Sequence, residues 1–188
     1  LKYHDEVMKY YTALHRQNIP VDLISENDDP LGYKLLIAPV MYMTRPGMDE
    51  RIREFVKGGG TFVATFFSGY VDESDLVILG GYPGKLRDIL GVWVEEIDAL
   101  PPHKKNRFFY QGQEYEAGLL CDLMHLEGAE SLAEYQEDFY AGMPAVTRNS
   151  FGGGQAYYVG TRSGEAFYHH LMEDICKEQQ IQPAAKAP

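Results

Sequence analysis

Apolar positions along the chain change period, and each period announces an element. Over residues 3–18 they fall at Val7, Tyr10, Tyr11 and Leu14, the three-and-four spacing of a helix with one buried face. Pro20 stops that helix, and the apolar run VDLIS (residues 21–25) reads as a short buried strand. NDDPLG is turn chemistry, after which KLLIAPVMYM supplies a second strand bounded by Pro39. Pro46 stands at the favoured first position of a helix running through MDERIREFVK. Gly58, Gly59 and Gly60 end that helix as a left-handed cap and open the strand TFVATFF, residues 61–67.

From Val92 the pattern shortens. VWVEEIDAL, NRFFYQGQEYEA, GLLCDLMHLEG, SLAEYQ and PAVTRNSF alternate and are separated by turn residues, as antiparallel strands are. QAYYVGT is a last apolar strand, entered through Gly152, Gly153 and Gly154. A closing helix over residues 164–180 turns Phe167, Leu171 and Ile175 inward. Residues 1–180 read as one domain and residues 181–188 as a tail or linker stub. The alternation of helices and strands predicts an α/β fold, a mostly parallel sheet flanked by helices, with an antiparallel β extension.

Composition narrows the function classes. A chain of 188 residues can bury a real core. Its formal net charge of −11 argues against a nucleic-acid partner, which would call for a basic patch, and suits a cytoplasmic surface. Cys121 and Cys176 are too few for a disulfide framework and sit in apolar surroundings, as small buried hydrophobes. No apolar run approaches the length of a membrane span, and no signal peptide opens the chain. The chain starts at Leu1 inside a helical pattern, as a piece cut from something longer would.

Candidate chemistry concentrates at the C-terminal end of the strand at residues 61–67, where ligands gather in open α/β sheets. Phe67, Ser68, Tyr70, Asp72 and Asp75 stand there: aromatic bulk and carboxylates, not a nucleophile with its base. Ser68 lacks the G-x-S-x-G elbow of a hydrolase. The glycine run at residues 58–60 sits between helix and strand, the wrong order for a phosphate cradle. Gly80, Gly81 and Gly84 have the right order but neither the Lys-Ser/Thr nor the G-x-G-x-x-G spacing. The acidic groups Asp72-Glu73-Asp75, Glu95-Glu96-Asp98 and Glu137-Asp138 read as solvated loops, and the six histidines show no ligand spacing. No catalytic residue, cofactor or metal is predicted.

Four stretches together resemble one family: GYKLLIAPVMYM; the long run GGGTFVATFFSGYVDESDLVILGGYPGKLRDILGVWVEEIDAL; EYQEDFYAGMPAVTRNSFGGGQAYYVGT; and EAFYHHLMEDI. They resemble the middle, trimerisation domain of bacterial β-galactosidases of glycoside hydrolase family 42. The resemblance implies a non-catalytic oligomerisation domain, a homo-oligomer (a trimer), and a parent that hydrolyses terminal β-galactosides with retention. Both catalytic glutamates and the β-galactoside substrate then belong to a (β/α)8 barrel that this chain does not contain. It implies a flavodoxin-like, class I glutamine amidotransferase-like three-layer α/β/α sandwich. In amidotransferases a cysteine nucleophile follows a strand in a G-x-C-x-G turn; here Phe67 stands in its place, and Gly160, Thr161 and Arg162 stand where the His-x-Glu belongs. The fold then serves as scaffold. Phe67, Ser68, Tyr70, Asp72 and Asp75 become a subunit-interface loop that also shapes a neighbour's pocket. The alternatives are a degenerate amidotransferase-like hydrolase using Ser68 or Cys121, and a flavodoxin-like small-molecule binder.

A flavodoxin-like sheet begins with a strand lying centrally, and this chain begins with a helix. VDLIS and KLLIAP would face an empty central lane. Either a segment of another chain fills it or the two strands close up and pair directly, because unpaired buried backbone groups cost about 1–3 kcal/mol each.

Overall fold

The computed structural model describes residues 1–184 of the chain. Helix α1 (Tyr3–His15) buries Tyr10, Ala13 and Leu14. It ends where Asn18 turns left-handed (φ +56°) and the Ile19 N–H closes on the Leu14 carbonyl (3.1 Å). Residues 21–25 run on without pairing to any strand, and Leu23 is 78% exposed. The strand expected there is absent because no neighbouring backbone meets it. Next come β1 (Leu35–Ala38), α2 (Met48–Lys57) and β2 (Thr61–Thr65), the last buried along its whole length. Gly60 lets β2 start directly under α2, since a Cβ there would lie 2.4 Å from the Phe55 ring.

A short helix α3 (Arg87–Leu90) leads into β3 (Val92–Ala99), β4 (Asn106–Tyr110), β5 (Gln113–Leu126), β6 (Glu130–Glu134), β7 (Pro144–Phe151), β8 (Gly154–Val159) and β9 (Thr161–Arg162), and α4 (Glu165–Glu178) closes the chain. One sheet has the order β1-β2-β8-β7-β6; β1, β2 and β8 are parallel, while β7 and β6 run antiparallel. A second, antiparallel sheet has the order β3-β5-β4, with β9 added against β5.

This overturns the mostly parallel three-layer sandwich of flavodoxin or amidotransferase type. Parallel neighbours need a crossover connection, and α2 supplies one only between β1 and β2. The long passage from β2 to β8 folds into its own antiparallel sheet, and β6, β7 and β8 follow one another as hairpins, which pair antiparallel. The result is a β-rich mixed fold.

β8 lies at the centre of the longer sheet and feeds both cores, as alternating strand residues must. Tyr157 and Val159 join α1 and α4 on one face; Ala156 and Tyr158 join α2 and α3 on the other. Ile181, in the predicted tail, packs against the first of these cores, and residues 185–188 of that tail lie outside the described residues. Among the described residues no helix is long and apolar enough to cross a membrane.

β1 is an edge strand, half-buried at every position. A groove of about 700 Å³ runs beside it, with residues 21–25 on its far wall. Direct pairing of VDLIS with KLLIAP is therefore ruled out: β1 bonds only to β2, and no isolated bridge joins the two segments among the described residues.

Candidate functional site

The loop after β2 is built by the strand's own ending. Phe66 still donates its N–H to Val159 C=O (2.8 Å), and Phe67 then turns left-handed (φ +60°), sending the chain back over the sheet. The returning backbone is stitched to the segment after β1. Gly69 N–H reaches Met41 C=O (2.9 Å), Tyr70 N–H reaches Tyr42 C=O (2.9 Å), and Thr44 N–H reaches Val71 C=O (2.9 Å). Gly69 is required twice over, by its φ of +66° and because a Cβ would stand 2.1 Å from the Pro83 carbonyl oxygen.

Beyond Tyr70 the loop closes into a small hairpin. The Asp72 carboxylate accepts from the N–H groups of Ser74 (2.8 Å) and Leu76 (3.1 Å), and Asp72 N–H donates to Leu76 C=O (2.9 Å). Ile78 N–H returns to Tyr70 C=O (3.0 Å). Asp72 is thus a turn-former, the local use to which short carboxylates are suited. Asp75 sits at the exposed tip with φ +61°.

The sequence-predicted residues divide three ways. Ser68 is fully buried, its Oγ accepting from Met41 N–H (3.2 Å). Phe67 and Tyr70 join an aromatic column, with Tyr70 stacked on Tyr82 (3.9 Å between ring centroids) and on Tyr42 (5.7 Å), and Phe67 tilted against Tyr70 (5.7 Å). Burial, then the neighbouring Asp75 carboxylate, raises the Tyr42 phenol above its ordinary pKa. Asp75 is exposed at the tip, with its carboxylate beside the Tyr42 hydroxyl. Sequence reasoning missed the three aliphatic side chains beside it, Leu76 (65% exposed), Val77 (54%) and Leu79 (92%). Their signal was apolar residues inside a polar loop, which a buried strand would have explained and this loop does not.

Asp122 was missed as well. It lies on β5 behind the loop, fully buried, and accepts from the Tyr158 hydroxyl (2.7 Å) while its Oδ1 has no partner. Burial pushes its carboxyl up to about 7, with the Tyr158 bond acting the other way. A lone Asp within the apolar run LLCDLMHL was the available signal. Other carboxylates are engaged locally: Asp98 accepts from Tyr140 (2.8 Å), Glu137 pairs with Arg107 (2.8 Å) and Asp138 with Lys104 (2.5 Å).

A family model described as the beta-galactosidase trimerisation domain matches residues 1–182. The chain belongs to that family. It is 46% identical over 194 residues to beta-galactosidase BgaA of Planococcus sp. (strain 'SOS Orange'), covering 100% of this chain and 29% of the relative. It is 48% identical over 182 residues to beta-galactosidase LacA of Lactobacillus acidophilus, covering 97% of this chain and 27% of that one. The crystal structure of beta-galactosidase from Bacillus circulans sp. alkalophilus superposes with a TM-score of 0.96 at 50% identity, over 100% of this chain and 29% of the other. The chain therefore spans less than a third of these relatives.

For a trimerisation-domain chain the hydrolase and flavodoxin readings find no support. Ser68 Oγ is held by a backbone amide, and the buried Cys121 thiol has the Thr161 Oγ1 (3.8 Å) and the Tyr135 and Tyr140 side chains beside it and is raised in pKa by burial. Among the described residues no histidine or carboxylate is hydrogen-bonded to either, so neither has the base a nucleophile needs. The sheet, half antiparallel, is not a flavodoxin sheet.

Proposed function

We propose that this chain joins the subunits of a longer, trimeric β-galactosidase, and that the loop over residues 67–79 is where one subunit meets the next. Hydrolysis of terminal β-galactosides then belongs to the remainder of the polypeptide, which the named relatives carry and this chain does not span. The observation that carries the reading is the run Leu76, Val77 and Leu79, exposed on a hairpin that Asp72 and Gly69 hold rigid. Exposed aliphatics on a fixed scaffold are what a subunit contact requires. Asp75, exposed at the same tip, is the residue we assign to contact with a neighbour's pocket. The acidic surface and two unpaired cysteines favour a cytoplasmic setting.

The test is the double substitution Leu76→Asp and Leu79→Asp in the full-length polypeptide, with mass measured by light scattering. The trimer should fall to monomer, while the urea midpoint moves little because both side chains are exposed. A variant that keeps the trimer mass would remove the loop from the interface. A monomeric wild-type parent would remove the whole reading.

A further inference from the structure

Where α2 meets α3 the surface opens into a cleft of about 550 Å³, within the size range of small-molecule sites. Asp49 and Arg53 of α2, Lys85 ahead of α3, Arg87 and Asp88 of α3, and Glu127 after β5 line it. Three carboxylates and three cations make up this lining, so it sums to zero charge. An ion of either sign gains nothing from that total.

Two of the three pairs are closed. Arg53 grips Asp88 through both Nη atoms (2.9 Å for Nη2 to Oδ1). Arg87 holds both oxygens of Glu127, and its Nη1 donates to Gly80 C=O (2.8 Å). These four side chains are fixed before any ligand arrives. The third pair is open. Asp49 is only 7% exposed, yet its Oδ1 has no hydrogen-bond partner among the described residues. Lys85 Nζ stands 3.8 Å from it, beyond hydrogen-bond reach. Burial, and then the neighbouring Glu50 carboxylate, raise the Asp49 pKa, while Lys85 acts the other way. A buried carboxylate oxygen without a donor is costly, and the half-exposed Lys85 side chain has room to draw back and admit one.

We propose that this cleft binds a neutral polyhydroxyl compound, a sugar, between Asp49 and Lys85. A hydroxyl serves both groups at once: its O–H donates to Asp49 Oδ1 while its oxygen accepts from Lys85 Nζ. A ring with further hydroxyls extends the same alternation to the closed pairs, where Arg53 keeps N–H groups beyond the two spent on Asp88. An ammonium ion would satisfy Asp49 and repel Lys85; a phosphate would do the reverse. Neither Asp49 nor Lys85 belongs to residues 67–79, so this site and the subunit contact stand or fall separately.

The test is a titration of the isotope-labelled 188-residue chain with D-galactose, followed through the amide resonances of Asp49, Lys85 and Asp88. Methylammonium chloride and sodium phosphate serve as ionic probes. Galactose should shift all three resonances saturably, with a millimolar Kd. Asp49→Ala and Lys85→Met should each weaken it by about 10-fold or more, the loss of one charge-assisted hydrogen bond. Lys85→Met alters a half-exposed side chain, so it decides the matter if Asp49→Ala disturbs the start of α2. Absence of saturation below about 100 mM galactose would leave the cleft to water and overturn the proposal. Tighter binding of methylammonium or phosphate overturns it too, as does galactose binding that Lys85→Met leaves unchanged.

Discussion

The longer sheet ends in two unlike strands. β6 is built to refuse partners: its register against β7 breaks twice, and Arg148 ties its Glu130 (2.7 Å) to Glu178 of α4 (2.7 Å). Bulges and charge are the usual protections of a final edge. β1 has neither. It reads LLIA, keeps unbroken register with β2 and is half-buried at each residue. An edge without protection is the more open to pairing, and the difference between the strands shows which side of the sheet is guarded and which is not.

The comparison can be broken at β8, on which both halves depend. Asp122 holds Tyr158 of β8, and its folded carboxyl titrates at about 7 against 3.8 for the free group. A raised folded pKa means the folded state holds the proton longer. Its stabilising contribution is therefore full below about 4 and is lost as pH rises through 7. The loss is on the order of 4 kcal/mol by pH 8, from about 1.4 kcal/mol per pH unit. Urea titrations of wild type and Asp122→Asn at pH 4 and pH 8 should diverge by roughly that amount. Parallel pH profiles would dispose of the assignment.

Smaller effects sharpen the contrast at the edges themselves. Arg148→Ala removes the two-carboxylate tie at β6 and should cost about 1–2 kcal/mol, more than an isolated surface pair. The matching change beside β1, Lys34→Ala, loses only exposed contacts to the Gln179 and Gln180 carbonyls and should fall within about 0.5 kcal/mol. Equal losses from the two substitutions would mean the edges are anchored alike. Last, Ile37→Lys should suppress concentration-dependent association of the 188-residue chain, measured by sedimentation, by giving β1 the charge it lacks. Association unchanged by the lysine would show that β1 is not the sticky edge.

What could be read from sequence follows a physical line. Local signals held where one segment decides its own shape, as at the glycine run capping α2, where Gly59 takes φ +103°. Signals failed where the outcome depends on a distant partner. VDLIS is as apolar as a strand but has no backbone to pair with, and the run around LLCDLMHL is one part of a 14-residue strand serving both β3 and β4. Sheet polarity failed for the same reason, since it depends on which strands become neighbours. At the candidate site, position was legible and role was not. Asp72 reads as a surface carboxylate until its bonds to Ser74 and Leu76 are seen, and Leu79, passed over in a polar loop, is 92% exposed.

The stitched hairpin after β2 also bears on the entropy of association. Fixing a flexible backbone costs about 1–2 kcal/mol per residue. Here the bonds from Asp72, and Gly69 lodged against Pro83, make that arrest part of folding. A neighbour docking on Leu76, Val77 and Leu79 has only their rotamers left to immobilise, at about 0.5–1.5 kcal/mol for each rotamer-rich side chain. In the assembly proposed above a patch this small can then hold tightly, and loosening the Asp72 turn would weaken it without touching a single contact atom.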